Sequence, residues 1–346
     1  MENTENIIEF KFGKESVIVP EIVDKKTSKG YVNWGEDNKL PDYLWDSYLK
    51  CSNLQSIVNT VSDYIVGSGI DSTYTFLSDE DETIEEVVKK ITLDYILFGG
   101  FALECIRNAK GDVVRVNYQN VMNVRVDEEL TTAYLSNRWG SWSGKNIITL
   151  PLFDKREKQP HFLFYFRGNI TRNINPIPLW VSALKSVEVL NQTRTFNLNN
   201  ITNNFSGGAV IAFNGTQIKS KEMKEIKDKL EAGYTGSDNA GKMLVVNNPN
   251  GEGKVEIVRL QPDNMGDLYR NLQDSSKDDL FVAFRCNPIL LGKNDTNGGF
   301  NKQEFAEAYK LYNATVILPL QNNIVKCFKK IGLDIAFKPF KIDWEE

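Results

Sequence analysis

The strongest constraint on the fold is one segment in which a polar and aromatic stretch leads into a helix with a defined end. Residues 31–45 combine an aromatic-Trp-Gly start at Trp34 with the pattern Asn-x-x-Pro, which ends at Pro41. Proline is favoured in a first helical turn, so a helix is expected to begin there. Apolar residues recur at three- and four-residue steps along residues 44–65, and Gly67-Ser-Gly69 ends this run.

Composition narrows the class of protein. Hydrophobic residues make up 41% of the 346 residues, charged residues make up 25%, and the net charge is −5. Tight DNA binding needs several Lys or Arg contacts to phosphate, so a strongly basic nucleic-acid binder is excluded. No apolar run approaches the roughly 20 residues that span a bilayer, and the acidic start does not resemble a signal peptide. We expect no membrane partner, and either two or three domains or one elongated subunit.

The first half of the chain predicts a mixed body of helices and strands. Residues 1–30 favour a strand-forming arm, and an acidic helix start at 79–86 leads to a stop at Gly99-Gly100. Short β-type segments separated by turn signals follow at residues 101–107, 113–118, 121–126, 131–135, 147–150 and 162–166. This order is typical of an α/β or α+β body.

The second half predicts long helices around a small unit. Prolines 176 and 178 favour a helix that runs to about 205, a second is expected from 263 to 286, and a third from 301 to 331 with a kink at Pro319. Between the first two, a strand–helix–strand–strand unit covers residues 209–259. Residues 191–204 are almost uncharged, which favours packing against like neighbours over exposure to water.

The sequence shows no constellation typical of catalysis or metal binding. His161 is the single histidine and stands at the start of an apolar strand, which favours a structural role. Four widely spaced cysteines are expected to be reduced and packed: Cys51, Cys105, Cys286 and Cys327. The acidic run 79–82 is interpreted as a solvated helix start, because consecutive carboxylates point in different directions. We therefore predict no catalytic, cofactor-binding or metal-ligating residue.

One motif resembles a nucleotide-binding loop. Gly236-Ser-Asp-Asn-Ala-Gly-Lys-Met243 has the spacing Gly-x4-Gly-Lys, but Met243 stands where a Mg²⁺-binding hydroxyl is needed. The predicted order is also reversed, since a helix precedes the loop and a strand follows it, whereas phosphate binding uses the N-terminus of a following helix. We interpret this segment as a helix-to-strand turn.

Five short motifs together resemble the portal proteins of tailed bacteriophages. They comprise residues 31–69, Leu97-Phe-Gly-Gly-Phe-Ala-Leu-Glu104, Phe205-Ser-Gly-Gly-Ala-Val-Ile211, Gly241-Lys-Met-Leu-Val-Val246 and Phe284-Arg-Cys-Asn-Pro-Ile-Leu-Leu-Gly292. Each is short, but all five occur in the family's order and spacing. The chain stops soon after its last long helix, so the helical crown of larger relatives is expected to be absent or minimal.

The resemblance implies an α+β fold, an elongated portal subunit with an α/β wing, a two-helix stem, a small α/β clip and a long C-terminal helix. It assigns 1–175 to the wing, 176–206 and 263–286 to stem helices, 207–262 to the clip, 287–299 to a tunnel loop and 300–346 to a tunnel or wing helix with the C-terminal tail. The channel-lining residues would be Asn287, Pro288, Gly292, Lys293, Asn294, Asp295, Thr296, Asn297, Gly298 and Gly299. The subunit interface would include Trp34, Asn191, Thr195, Asn199 and Thr202.

The resemblance also implies partners and a location. A ring of about twelve copies would stand at one capsid vertex of the virion after assembly in the host bacterial cytoplasm. It would contact the terminase large subunit, a head–tail adaptor and the major capsid protein, and duplex DNA would pass through it without specific binding. Two alternatives remain open: a nucleotide-binding enzyme that uses the loop at residues 236–243, and a structural or adaptor phage protein that forms no ring.

Overall fold

The computed structural model of the chain describes residues 19–72, 78, 81–139, 147–168, 173–202, 209–214, 221–222, 225, 243–248, 255–259, 265–293 and 301–340. The chain divides into two compact units. The larger one contains Val19–Val187 and Lys277–Glu346, and the smaller one includes Glu188–Ser276. The changes of unit after Val187 and after Ser276 both fall inside helices.

The described helices and strands alternate along the chain as a mixed fold. The α-helices are α1 Leu40–Lys50, α2 Ser52–Val66, α3 Ile84–Phe98, α4 Leu184–Thr202, α5 Met265–Ala283, α6 Lys302–Tyr312 and α7 Leu318–Lys330. The strands are β1 Asp24–Lys26, β2 Val32–Trp34, β3 Ile70–Ser72, β4 Gly100–Arg107, β5 Val113–Gln119, β6 Val124–Val126, β7 Thr132–Leu135, β8 Ile148–Pro151, β9 His161–Arg167, β10 Ala209–Asn214, β11 Met243–Asn248, β12 Val255–Arg259 and β13 Ile335–Phe337.

The first predicted helical run is two helices. It breaks at Cys51, whose backbone is extended (φ −98°, ψ 99°) and which ends α1 and starts α2. The apolar periodicity continues across the break, and this is why the sequence alone indicated one helix. The Tyr48 hydroxyl donates to Asn59 Oδ1 at 2.7 Å and holds the pair together. Gly67 ends α2 at φ 64°, where a Cβ atom would lie 2.5 Å from the Lys338 carbonyl oxygen.

Helix α3 begins later than the acidic run predicted. Thr83 caps it through a capping box, in which the Glu86 carboxylate accepts from the Thr83 amide at 2.8 Å. Glu82 lies before the helix and pairs with Lys90, as suits a charged residue near a helix start. The helix ends, as expected, at Gly99 (φ 86°), where a Cβ atom would lie 2.1 Å from the Ile177 carbonyl oxygen.

Within its described residues, the larger unit contains four small antiparallel sheets. Strands β5-β4-β9 and β6-β7-β8 form three-stranded sheets, and β1-β2 and β3-β13 form pairs. The predicted hairpin of β4 and β5 is confirmed, with Leu103 opposite Tyr118. Residues 121–123, predicted as strand, form a 3-10 turn before β6. The face of β4 that bears Ala102 packs on a core cluster with Val124, Ala133 and Leu163.

The 31–45 segment is held by a buried arginine. Arg125 is 1% exposed, and its guanidinium donates to the Asn38 side chain and to the carbonyl oxygens of Asn38 (3.2 Å), Met122 (2.9 Å) and Val124 (2.7 Å). Asn38 is left-handed (φ 65°), and its Oδ1 also accepts from the Trp34 amide at 2.9 Å. The motif is therefore a folded turn fixed by one cation.

The prediction that Trp34 belongs to a subunit interface is wrong. Its side chain is 1% exposed within its own chain. It packs edge-on against Phe98 at 6.3 Å, and the Arg125 guanidinium lies 5.5 Å from its ring. Residues of the same subunit therefore cover this large apolar ring, which the sequence pattern alone did not indicate.

Helix α4 also starts later than predicted. The prolines at 176 and 178 precede a 3-10 turn, Val181–Ala183, and the helix begins at Leu184 rather than at 176. The Trp180 indole donates to the Ile96 carbonyl oxygen at 3.1 Å and is fully buried, so tertiary packing holds this stretch outside the helix. Helix α5 ends at Ala283, close to its predicted end.

The last long helix contains a π-helical segment where the sequence predicted a kink. Residues Asn313–Ile317 are π-helical and join α6 to α7, which carries Pro319 in its first turn. Proline cannot donate to the carbonyl group four residues earlier, and a π-helical segment accommodates that loss. The smaller unit contains the predicted three strands, with β10 central, parallel to β11 and antiparallel to β12.

Asp94 is a buried carboxyl on α3. It is 4% exposed, and its Oδ2 accepts from the Tyr118 hydroxyl at 3.0 Å and from the Val121 amide at 3.1 Å. Burial raises the pKa of Asp94 from 3.8 to about 7, and the two hydrogen bonds offset only part of this rise. The folded protein therefore holds a proton that the unfolded chain releases in mild acid.

We expect stability to fall as pH rises from about 4 to about 7, the window between the unfolded and folded pKa values of Asp94. In this window the folded state binds more protons, so each pH unit favours unfolding, and the loss is complete above pH 7. Asp94→Asn should flatten the decline and raise the free energy of unfolding at pH 8 by up to roughly 4 kcal/mol. Urea unfolding of both proteins at pH 5 and pH 8 measures this, and an unchanged decline in the variant would contradict it.

Candidate functional site

The segment after α5 is a capped turn. Arg285, two residues after the end of α5, adopts a left-handed conformation (φ 52°). The Asn287 side chain accepts from the Ile289 amide at 3.0 Å and caps a 3-10 turn, Pro288–Leu291. Gly292 ends the turn at φ 73°, and no atom would meet a Cβ there within 4 Å. The start of the predicted tunnel loop is therefore ordered by its own side chains.

Two tyrosines anchor this turn to other helices. The Tyr64 hydroxyl of α2 donates to the Leu290 carbonyl oxygen at 2.6 Å, and the Tyr312 hydroxyl of α6 donates to the Phe284 carbonyl oxygen at 3.3 Å. The Phe284 ring stacks on Trp180 at 6.2 Å. Burial raises the pKa of Tyr64 to about 12, so its hydroxyl keeps the proton that it donates. The turn cannot shift without breaking buried contacts.

The other end of the predicted loop is anchored at the start of α6. Asn301 Oδ1 accepts from the amides of Gln303 (3.1 Å) and Glu304 (3.2 Å), which is a strong helix cap. Phe305 in the first turn is 7% exposed and stacks on Tyr309 at 6.4 Å. Residues 294–300 thus connect two ends that are each fixed by capping and by buried aromatic rings.

The ten predicted channel-lining residues divide into two sets. Asn287, Gly292 and Lys293 are exposed and Pro288 is half-buried, while Asn294, Asp295, Thr296, Asn297, Gly298 and Gly299 lie outside the described residues. The tyrosine and tryptophan anchors were missed by sequence reasoning. Tyr64 lies 226 residues from its carbonyl partner, and no local pattern records such a contact.

The predicted interface residues on α4 share one helical face. Asn191 and Thr195 are four residues apart, and the Thr195 hydroxyl donates to the Asn191 carbonyl oxygen at 3.0 Å. Thr195 is exposed, whereas Asn191 is half-buried, and its buried Oδ1 has no hydrogen-bond partner in the part of the chain that the structure describes. Asn199 and Thr202 follow on the same face, and their side chains are outside the described set.

The residues considered for chemistry occupy structural positions. His161 Nε2 lies 2.6 Å from Glu104 Oε1 on the neighbouring strand. All four cysteines are free and buried, and burial raises the pKa values of Cys286 and Cys327 to about 12.

Within the described ranges, no three His, Cys, Asp or Glu side chains are grouped to hold a metal ion. In the same residues, no helix combines the length and the hydropathy of a membrane span.

The nucleotide-loop motif continues as the strand that we expected. Met243 is the first residue of β11 and lies opposite Ala209 of β10. Residues 236–242 lie outside the described ranges. No helix N-terminus follows Lys242, so this side of the motif lacks the amide donors that hold phosphate in a P-loop.

Comparison with solved structures identifies the fold. A chain of the "Virion of native gene transfer agent (GTA) particle" matches with a TM-score of 0.57 and 12% identity over 87% of this chain and 83% of that one. The HK97 family phage portal protein from Corynebacterium diphtheriae matches with a TM-score of 0.54 and 10% identity over 84% and 93%. A chain from the "Neck of native GTA particle computed with C12 symmetry" matches with a TM-score of 0.54 and 12% identity over 84% and 81%. The fold is thus that of a portal subunit.

The family is established by sequence as well. The family model "Phage portal protein" matches residues 72–340. A search of curated proteins found no match. The chain belongs to the phage portal protein family, whose members form the ring at a capsid vertex through which DNA is packaged and ejected.

Proposed function

We propose that this chain is one subunit of a closed ring of twelve, in which residues 294–299 of each copy line the narrowest part of a DNA channel. The anchoring of both ends of that loop carries the proposal. A loop that contacts a moving duplex needs fixed ends, because the force on it must pass into the body of the subunit. The related particle neck with C12 symmetry supports the number twelve.

The remaining assignments of the proposal follow the family plan. Residues 1–175 and 300–346 form the wing and the tunnel helix, α4 and α5 form the stem, and residues 207–262 form the clip. The clip side meets the terminase large subunit during packaging and the head–tail adaptor afterwards, and the wing meets the major capsid protein. The subunit is a structural part of the virion, assembled in the bacterial cytoplasm, and not an enzyme.

Ring assembly should depend on the Asn/Thr face of α4, on which Thr195 is exposed. Thr195→Glu places a charge on that face, and we expect it to shift the protein from ring to monomer because a desolvated unpaired charge is costly at an interface. Asn197→Glu is the matched control, since residue 197 lies on the opposite side of the same helix and is also exposed. Sedimentation should give about twelve times the 39.3 kDa chain mass for wild type and control. If both variants assemble into rings equally well, this face of α4 does not belong to the subunit interface.

The alternative of a nucleotide-binding enzyme predicts a different result. We expect Lys242→Ala to leave nucleotide affinity at background, because Met243 opens a strand and supplies no hydroxyl for Mg²⁺. Isothermal titration with ATP and Mg²⁺ tests this. Saturable binding that Lys242→Ala abolishes would favour the enzyme. A stable monomer with no ring in negative-stain images would favour the structural or adaptor protein.

A further inference from the structure

Strand β9 has an open edge. It is the outer strand of the β5-β4-β9 sheet, and Leu152 bridges it at Leu163, where the Phe153 amide donates to the Leu163 carbonyl oxygen at 2.9 Å. Backbone groups alternate in direction along a strand, so the amide and carbonyl groups of Tyr165 point to the same side as those of Leu163. The opposite side of β9 pairs with β4, and on this outer side no described strand pairs with it beyond that bridge. Within the described residues, the outer side of the second half of β9 is therefore open to an additional strand.

A cavity of about 930 Å³ lies along this open half. Its aromatic lining comes from Phe153, Phe164, Tyr165 and Phe166, with Leu152 beside them. Phe153 packs on Phe164 at 5.5 Å, and Phe166 packs on Tyr95 at 5.1 Å, so these rings have defined positions. A concave apolar surface next to unpaired main-chain groups is the arrangement that binds an extended peptide by strand addition.

The cavity is rimmed by positive charge. Five basic residues line it, and no Asp or Glu is found among its described lining residues; the five are Lys155, Arg167, Lys326, Lys329 and Lys330. The chain as a whole has 46 acidic and 41 basic residues, so this patch reverses the overall balance. The lysines come from the loop after β8 and from the last turns of α7, and they meet only in the folded protein. A rim of positive charge favours a partner that carries negative charge.

We propose that this cavity binds an extended acidic segment of a partner protein. The segment adds to the free edge of β9 through main-chain hydrogen bonds, places alternate apolar side chains on the aromatic lining and directs its carboxylates to the lysine rim. Duplex DNA fits less well, because a phosphate backbone uses neither an apolar concavity nor a strand edge. The proposal does not depend on ring formation or on the channel loop.

The first test uses the full chain and designed peptides. A fluorescein-labelled peptide of about ten residues that alternates Glu with Phe or Leu should bind in a fluorescence anisotropy titration. Its affinity should exceed that of the same peptide with Lys in place of Glu by about tenfold or more. N-methylation of alternate backbone amides should weaken binding by about tenfold, because it removes the donors that pair with the strand edge. Equal affinity of the three peptides would overturn the proposal.

The second test changes the rim. Lys326→Glu combined with Lys330→Glu should weaken the acidic peptide by about tenfold or more, while Lys310→Glu, an exposed residue of α6 outside the cavity, should leave it unchanged. Circular dichroism checks that the double variant folds. If it does not fold, the comparison of the N-methylated and unmodified peptides on the wild-type protein tests the proposal instead. If duplex DNA displaces the labelled peptide at a lower concentration than the unlabelled peptide does, the cavity is a nucleic-acid site. Binding that disappears on ring assembly would assign the cavity to a neighbouring copy. Either result overturns the proposal.

Discussion

Arg125→Ala is expected to lower the free energy of unfolding by roughly 3 to 5 kcal/mol. The substitution leaves a cavity beside Trp34 and removes a donor from the buried carbonyl oxygens of Asn38 and Val124 and from the part-buried one of Met122. A buried acceptor without a donor keeps its full desolvation cost. The left-handed turn at Asn38 also loses its cation, so the 31–45 segment should loosen first. Urea unfolding with linear extrapolation measures the change.

The matched control is Arg156→Ala. Arg156 pairs with Asp154 at 2.9 Å, but its side chain is 89% exposed, and such pairs contribute little to stability. We expect the control to unfold within about 0.5 kcal/mol of the wild type. If Arg125→Ala unfolds at the same urea concentration as the control, the buried guanidinium does not organise this segment.

Deleting residues 294–298 is expected to leave subunit folding and ring assembly intact and to reduce DNA-filled particles to the level seen without a portal. The capped turn Pro288–Leu291 and the Asn301 cap of α6 are fixed independently of these residues, so the two ends should remain in place. The sequence Asn294-Asp-Thr-Asn-Gly298 is polar and rich in small residues, which suits repeated contact with a passing duplex. Assembly is read from negative-stain images, and packaging from nuclease-protected DNA per particle.

Two companion variants sharpen this test. A Gly/Ser replacement of equal length keeps the reach of the loop and should retain more packaging than the deletion. Asn297→Arg adds a phosphate contact and should slow translocation, with an effect that weakens as salt is raised. Full-length genomes packaged at normal yield by the deletion variant would show that this segment does not line the channel.

Sequence patterns predicted most elements because their signals are local. Gly67 and Gly99 ended their helices as expected, since only glycine tolerates the positive φ and the close approach of another backbone at these points. The hairpin of β4 and β5 and the three strands of the smaller unit were correct for the same reason. Apolar periodicity and turn residues act within a few positions of each other, so they can be read without the fold.

Where a prediction from the sequence was wrong, a contact between residues distant in the chain outweighed the local conformational preference. The prolines before α4 favoured a helix start at 176, but the buried indole of Trp180, bonded to Ile96, delays it to Leu184. Trp34 was expected at a subunit interface, yet it packs against Arg125 and Phe98 of the same chain. In both cases the free energy of burying a large ring exceeds that of a helical turn.

The sequence by itself determined the family, the mixed class of the fold, the reduced cysteines and the ends of several helices. All of these depend on residue types at short and regular spacing. Only the tertiary structure decided what holds the candidate loop and where a partner could bind. Tyr64 reaches Leu290 across 226 residues, and lysines from two distant segments form one basic rim. Contacts of this kind depend on the path of the chain through space, and a one-dimensional pattern does not contain that path.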